Sequence, residues 1–356
     1  MVADNLSYWK IEDDFSQIVE QGALSFHALK NAHIFLTGGT GFIGVWLLEA
    51  IAYANESQKF NIHVTILTRN PAGFKEKNPR LFERPYFKYI AGDVIQLPEA
   101  LKSAKPFTHL IHAATDASAE LNEVNPLQMF DTIVLGTRQI LDFAVQQNIS
   151  KVLYLSSGAV YGQQPPGVDF IAEDSLSAPD CLNPKNTYAE GKRASEMLCA
   201  IYGKQFGSHI VVARIFALLG PLLNLDIHFA AGNFIRDALV GKKITVSGDG
   251  RPERSYLYPA DLVVWLLAML THGKSGVAYN VGSEEAISIA GLAKLTSSLL
   301  GDSGYEILGL SDSGWNPGRY VPSNQLIQKE LGVKQTVDLA EAIQRTAYWN
   351  GWGKSK

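Results

Sequence analysis

The chain has 356 residues, 46% hydrophobic and 19% charged, with a formal net charge of -4, which allows a full core in two closely connected lobes and offers no basic stripe for nucleic acid. Its two cysteines, Cys181 and Cys199, are too few for a disulfide framework and are not spaced as metal ligands, so both read as buried small hydrophobes of a reducing compartment and no metal is expected. The acidic N-terminus (Asp4, Glu12, Asp13, Asp14) is unlike a signal peptide, and the apolar run Leu262 to Leu270 is too short to cross a bilayer, so a cytoplasmic protein without membrane contact is expected.

In chain order, a short amphipathic helix over Asp14 to Glu20 is read as an appendage within residues 1–30. Strands follow at His33 to Leu36, Val64 to Leu67, Tyr89 to Ala91, Leu110 to His112 and Val152 to Leu155, alternating with helical segments. That alternation predicts an α/β fold, a Rossmann-like doubly wound parallel sheet with helices on both faces. A helix from about Pro184, capped by Asn183, carries Tyr188 and Lys192. After the strand Ile210 to Ile215 the alternation breaks. The helix Asn233 to Val240 and a hairpin-like stretch Ile244 to Tyr258 then form a smaller C-terminal lobe that binds substrate. The division is thus 1–30, 31–215 for the dinucleotide-binding domain, rejoined by about 258–282, and 216–356 for the substrate lobe.

Thr37-Gly38-Gly39-Thr40-Gly41-Phe42-Ile43-Gly44 joins the first strand to the apolar helix Val45 to Ala54. Gly38 and Gly41 permit a tight turn against a pyrophosphate, Gly44 lets the helix approach the strand, and the helix N-terminus supplies amides and positive dipole, with Thr40, Phe42 and Ile43 in the same turn. This predicts NAD or NADP. After the second strand stands Thr68-Arg69-Asn70 in place of a carboxylate, and Arg69 leans the choice to NADP through a 2′-phosphate, although a guanidinium also stacks on adenine.

Tyr188-Ala189-Glu190-Gly191-Lys192 puts a phenol and an ammonium on one helix face, where the cation favours the phenolate and so general acid/base strength near neutral pH. Ser157, at the end of its strand, faces the crevice where open sheets bind ligands and can hold a substrate oxygen. Tyr188, Lys192 and Ser157 are the expected catalytic centre.

The turn at 37–44, Gly92-Asp93-Val94, His112-Ala113-Ala114, Ser156 to Gly162, the Tyr188/Lys192 pair, Arg214-Ile215-Phe216 and Gly248-Asp249-Gly250 through Arg254-Ser255-Tyr256 form an ordered set. Over residues 31–335 it resembles the extended short-chain dehydrogenases, the NAD-dependent epimerase/dehydratase family acting on nucleotide sugars. The resemblance implies Asp93 and Val94 near the adenine, Ala113, Ala114 and Thr115 along the cofactor, hydride exchange at a sugar carbon, and a homodimer through two helices per subunit. Similar sugar 4,6-dehydratases carry an Asp-Glu pair after the catalytic hydroxyl, and glucuronate decarboxylases a glutamate. Here stand Gly158-Ala159, which cannot shuttle a proton, so dehydration and decarboxylation are disfavoured. A C4 epimerase or a ketosugar reductase remains. Ile133 stands where the family's Asn-x-x-Gly-Thr pattern has asparagine.

Arg254 resembles the family's arginine that grips the nucleotide diphosphate, and Arg319 a second clamp, each against the plain alternative of a surface salt bridge. Asn233 resembles a diphosphate contact or is a helix cap. Asp116, Ser118 and His228 are further pocket candidates, and Asp261 reads as a helix cap. The competing readings are a reductase of a non-nucleotide, lipid-like or phenolic ketone and a non-catalytic dinucleotide sensor.

Overall fold

The computed structural model describes residues 9–101, 106–115, 119–226, 230–310 and 318–353. Seven strands form one sheet: β1 (His33–Thr37), β2 (His63–Thr68), β3 (Phe87–Ala91), β4 (His109–His112), β5 (Lys151–Ser157), β6 (Ile210–Ile215) and β9 (Ala278–Val281). Their order is β3-β2-β1-β4-β5-β6-β9 and every pairing is parallel. Strand order reverses between β1 and β4, so the crevice beyond their C-terminal ends is the expected ligand site.

Both faces of the sheet are covered, which is why its strands read as near-continuous apolar runs. Successive residues of β1 point to opposite sides: Ile34 and Leu36 join the larger core, and Phe35 the smaller one. The larger core packs α3 (Phe42–Gln58) and α10 (Pro259–His272). The smaller packs α7 (Pro126–Gln146) and α8 (Thr187–Phe206). The other helices are α1 (Ile11–Gln21), α2 (Ala23–Ala28), α4 (Pro71–Lys77), α5 (Pro79–Phe82), α6 (Ala119–Val124), α9 (Ala230–Leu239), α11 (Ile289–Leu299), α12 (Gln325–Leu331) and α13 (Leu339–Trp349). No helix among the described residues is long and apolar enough to cross a membrane.

The N-terminal segment is not an appendage. Phe15, Ile18 and Val19 of α1 are buried against α3 and α10, with the Phe15 and Trp46 rings 5.4 Å apart. Asp14 is 1% exposed; it accepts from Tyr258 Oη at 2.5 Å and pairs with Arg345 of α13. Burial pushes its carboxyl up to about 6, with Arg345 opposing. The apolar stripe of α1 is legible in the sequence, but the buried carboxylate is not, because its partners Tyr258 and Arg345 are far along the chain.

The stretch 244–258 is not a hairpin. β7 (Ile244–Val246) pairs in parallel with β11 (Tyr305–Ile307), while β8 (Glu253–Arg254) sits between β10 (Ile287–Ser288) and β12 (Arg319–Tyr320). Its turn glycines do not return the chain onto itself because both partners are distant. Asp261 does not cap α10, whose N-cap is Tyr258; its carboxylate accepts from the Thr336 and Val337 amides at 3.0 and 3.2 Å. Cys199 is buried and Cys181 is exposed, in the connection before α8 where no core is present to cover it.

Candidate active site

The candidate cofactor cradle is made of backbone. Gly38 has φ +72°, and a Cβ there would lie 2.6 Å from the Ala113 carbonyl and the Ala114 nitrogen. Gly44 lies in the first turn of α3, where a Cβ would come within 2.4 Å of Gly39 Cα and 2.5 Å of Gly38 O. These glycines are therefore steric requirements of the close approach of β1, α3 and the segment after β4. Gly41 is the N-cap of α3; no side chain caps the helix and no acid occupies its first turn, so its amides and dipole suit a pyrophosphate. Phe42 and Ile43 open the helix, and Thr40 Oγ1 lies 3.2 Å from Thr68 Oγ1.

The wall opposite is Ala113, Ala114 and Thr115, held by a chain of hydrogen bonds that the sequence reading missed. Thr37 Oγ1 accepts from Ala114 N at 3.1 Å and is 2.7 Å from His112 Nδ1, while His112 Nε2 is 3.1 Å from Thr137 Oγ1. Thr137 donates to Ile133 O at 2.6 Å, so it accepts from His112, and Nδ1 then accepts from Thr37. That is a neutral imidazole, and burial first, Lys192 second, hold His112 down at about 3. Arg69 is exposed at the end of β2, and Asn70 beside it caps α4 through Gly73 N at 2.9 Å. The Asp93 carboxylate accepts from Ile95 N at 2.9 Å; Val94 is buried against Gly136, where a Cβ would meet Val94 Cγ2 at 2.7 Å.

Asn183 caps a single 3-10 turn, Pro184–Asn186, and α8 begins directly after it. Asn122 on α6 clasps this start: its Oδ1 accepts from Tyr188 N and its Nδ2 donates to Lys185 O, both at 3.0 Å. One turn on, Lys192 Nζ donates to Leu155 O at 2.7 Å and Thr115 Oγ1 at 2.8 Å, and it stands 5.9 Å from the Tyr188 ring centroid. The ammonium thus ties α8 to β5 and to the segment after β4. Burial lowers Lys192 to about 7, opposed by Glu196. Burial also raises Tyr188, opposed by the Ser157 hydroxyl. Contrary to the expectation of a phenol lowered by Lys192, burial sets the direction at Tyr188, because desolvation disfavours both charged forms. Ser157 ends β5, and its Oγ accepts from Ala159 N at 3.2 Å. Its hydroxyl opposes the rise that burial causes at Tyr188 and at Tyr320, a residue that no sequence motif singles out.

On the substrate side, α9 already runs from Ala230, so Asn233 sits inside the helix and not at its cap; its Oδ1 accepts from Arg236 Nη1 at 3.3 Å. It lines a cleft of about 410 Å³ with Phe234, Arg236, Thr245, Gly248 and Gly250. Register separates the two arginines. Arg254 pairs with Tyr320 and Glu253 with Arg319 across β8 and β12, so Arg254 and Tyr320 share one face while Arg319 and Glu253 share the other. Arg254 donates to Glu253 O at 2.8 Å and to no carboxylate among the described residues. Arg319 pairs with the Glu253 carboxylate and donates to Asp169 O at 2.7 Å, the salt-bridge alternative in its plain form. Asp116, Ser118 and His228 lie outside the described residues. No group of three His, Cys, Asp or Glu among the described residues could hold a metal.

The sequence pattern of the NAD dependent epimerase/dehydratase family matches residues 34–282. UDP-glucuronic acid decarboxylase 1 of Xenopus tropicalis is 30% identical over 316 residues, covering 89% of this chain and 71% of that protein. UDP-glucuronic acid decarboxylase 3 of Arabidopsis thaliana is 29% identical over 88% of this chain and 87% of its own. Among solved structures, UDP-glucose 4-epimerase of Thermotoga maritima superposes with a TM-score of 0.76 at 21% identity, over 89% of this chain and 98% of that one. dTDP-glucose 4,6-dehydratase of Bacillus anthracis, in complex with NAD, also gives 0.76, at 20% identity over 91% and 97%. With the glycine cradle and the Ser157/Tyr188/Lys192 centre at the crevice of a matching sheet, the chain belongs to the NAD dependent epimerase/dehydratase family, extended short-chain dehydrogenases with a Rossmann fold.

Proposed function

We propose that the protein moves hydride at C4 of a nucleotide-diphosphate sugar, as a 4-epimerase or a ketosugar reductase. The observation that carries this reading is the juxtaposition of Tyr188, Ser157 and Lys192 at the end of β5, followed by Gly158-Ala159 with no acid. The curated relatives are named as UDP-glucuronic acid decarboxylases at 27–30% identity, and neighbouring structures as 4-epimerases and 4,6-dehydratases. Identity at this level leaves the reaction to the side chains, and those that would move a second proton are missing here.

A bound dinucleotide would supply the hydride acceptor or donor, and Gly38 to Gly44, Asp93, Val94 and Ala113 to Thr115 would hold it. Tyr188 takes the proton of the C4 hydroxyl when that carbon is oxidised and returns it on reduction. Ser157 donates a hydrogen bond to the same oxygen. Lys192, anchored on Leu155 O and Thr115, adds positive charge near the phenol and would hold the cofactor's ribose. Arg254 and Asn233 meet the diphosphate, and the cleft beside α9 takes the base. Arg69, exposed at the end of β2, favours an exchangeable NADP and with it the reductase. Exposed Leu127, Phe130 and Leu135 on α7, with Met197 and Ile201 on α8, support the homodimer.

Denaturing freshly purified protein and identifying the released dinucleotide by mass spectrometry tests the reading. About one NAD per chain supports the epimerase. A cofactor-free protein that binds NADPH more tightly than NADH supports the reductase, and binding of neither overturns the proposal.

A further inference from the structure

Tyr188 is the second residue of α8, and the start of that helix is not capped from within. The first amides of a helix have no partner in their own helix, and the side chain of the N-cap residue normally supplies one. Here the N-cap is Asn186, with φ -92° and ψ 9° and no side-chain bond to the helix; its Nδ2 donates instead to Asp180 O at 2.9 Å. The cap comes from another helix. Asn122 of α6 brings one acceptor and one donor to the turn 185–188: Oδ1 accepts from Tyr188 N and Nδ2 donates to Lys185 O, each at 3.0 Å. The reverse amide orientation would set an NH2 against the Tyr188 N–H and an oxygen against the Lys185 carbonyl, so the side chain fits this turn in one way.

The base of this clasp is firm. α6 runs into α7 through Asn125, whose Oδ1 accepts from Gln128 N at 3.3 Å and whose backbone N donates to Leu121 O at 2.9 Å, and α7 packs with α8 in the smaller core. The chain after β4 meets α8 a second time one turn on, where Thr115 Oγ1 accepts from Lys192 Nζ at 2.8 Å. Residues 115 and 122 thus hold the two members of the pair separately, Lys192 by its side chain and Tyr188 by its backbone. We propose that Asn122 is a positioning residue that fixes the first turn of α8 and thereby sets where the Tyr188 phenol stands in the crevice. Lys192, held also by Leu155 O, keeps the next turn in place without it. The effect on turnover rests on the reading of Tyr188 as the acid/base; the clasp does not.

Asn122→Ala removes both bonds, and Asn122→Asp keeps the acceptor alone. In protein with isotope-labelled tyrosine, hydrogen exchange at the Tyr188 amide is followed by NMR, the resonance being assigned by its loss in Tyr188→Phe. That amide should exchange at least about tenfold faster in Asn122→Ala than in wild type, and near the wild-type rate in Asn122→Asp. In the same proteins kcat on a nucleotide hexose should fall roughly tenfold in Asn122→Ala, with KM and NAD(P)H affinity nearly unchanged, and Asn122→Asp should recover most of the loss. Unchanged exchange in Asn122→Ala overturns the clasp. Faster exchange with an unchanged kcat, or equal losses of kcat in the two variants, overturns the positioning role. Wild-type protein that turns over no nucleotide hexose contradicts the hydride-transfer reading instead, and the exchange comparison still decides whether Asn122 holds Tyr188.

Discussion

The turn between β1 and α3 and the small sheet β10-β8-β12 serve one crevice, and they are built in opposite ways. The turn is continuous chain, residues 37–44, whose geometry comes from backbone: a positive φ at Gly38 and contacts at Gly38 and Gly44 that exclude any Cβ. The small sheet is three two-residue strands from separate segments, and what it delivers is side chains, Arg254 and Tyr320 on one face and Glu253 and Arg319 on the other. On the proposed reading, local backbone would set where a dinucleotide lies, and long-range pairing what meets the substrate. The two regions should therefore fail separately.

The largest effect is expected where the two meet. Tyr188→Phe should lower kcat on the order of a thousandfold while NAD(P)H affinity, read by nicotinamide fluorescence, stays unchanged. Gly38→Val forces a side chain against the Ala113 carbonyl in a backbone conformation that L residues avoid, and should weaken cofactor binding about a hundredfold or more. If the variant bound cofactor normally, the steric account of the cradle would be wrong.

Asp14→Ala removes the buried partner of Arg345, itself 12% exposed, and should cost about 3 kcal/mol in denaturant unfolding without changing either KM. Arg254→Ala should raise the nucleotide-sugar KM roughly tenfold and leave cofactor affinity alone, whereas Arg319→Ala, on the opposite face, should change KM little. Equal losses from the two arginines would show that the faces are not divided as the register divides them. The smallest effect is a pH dependence. Folding raises Asp14 from 3.8 to about 6, so the unfolded chain releases that proton first, and wild-type stability relative to Asp14→Asn should fall as pH rises across that interval. A rise over the same interval would mean that Arg345, not burial, dominates.

How much could be read from the sequence follows the same division. β1, β2, β4 and β5, the glycine turn and the Tyr188/Lys192 helix were legible because each is a local pattern: an apolar run, a spacing of three, a spacing of four. β9 and α10 were anticipated only as a return of about 258–282 to the first domain, with no strand and no place in the sheet order assigned. Asp14, Asp261 and Tyr320 were misread or passed over because their partners are far away in sequence: Tyr258 and Arg345, Thr336 and Val337, Phe216 and Gly158. The false hairpin at 244–258 has the same cause. His112 gave a usable signal, a polar residue ending a buried strand, yet its threonine partners on β1 and α7 follow only from the strand order.

The most direct test mixes purified protein and NAD(P) with UDP- and dTDP-hexoses carrying hydrogen or deuterium at C4, and follows the near-ultraviolet absorbance of reduced nicotinamide in a single turnover. At least one sugar should produce reduced cofactor, severalfold more slowly with deuterium, and Tyr188→Phe should abolish the signal. Cofactor reduction that is insensitive to deuterium at C4, or no reduction with any nucleotide hexose or reoxidation with its 4-keto form, would contradict hydride transfer at that carbon.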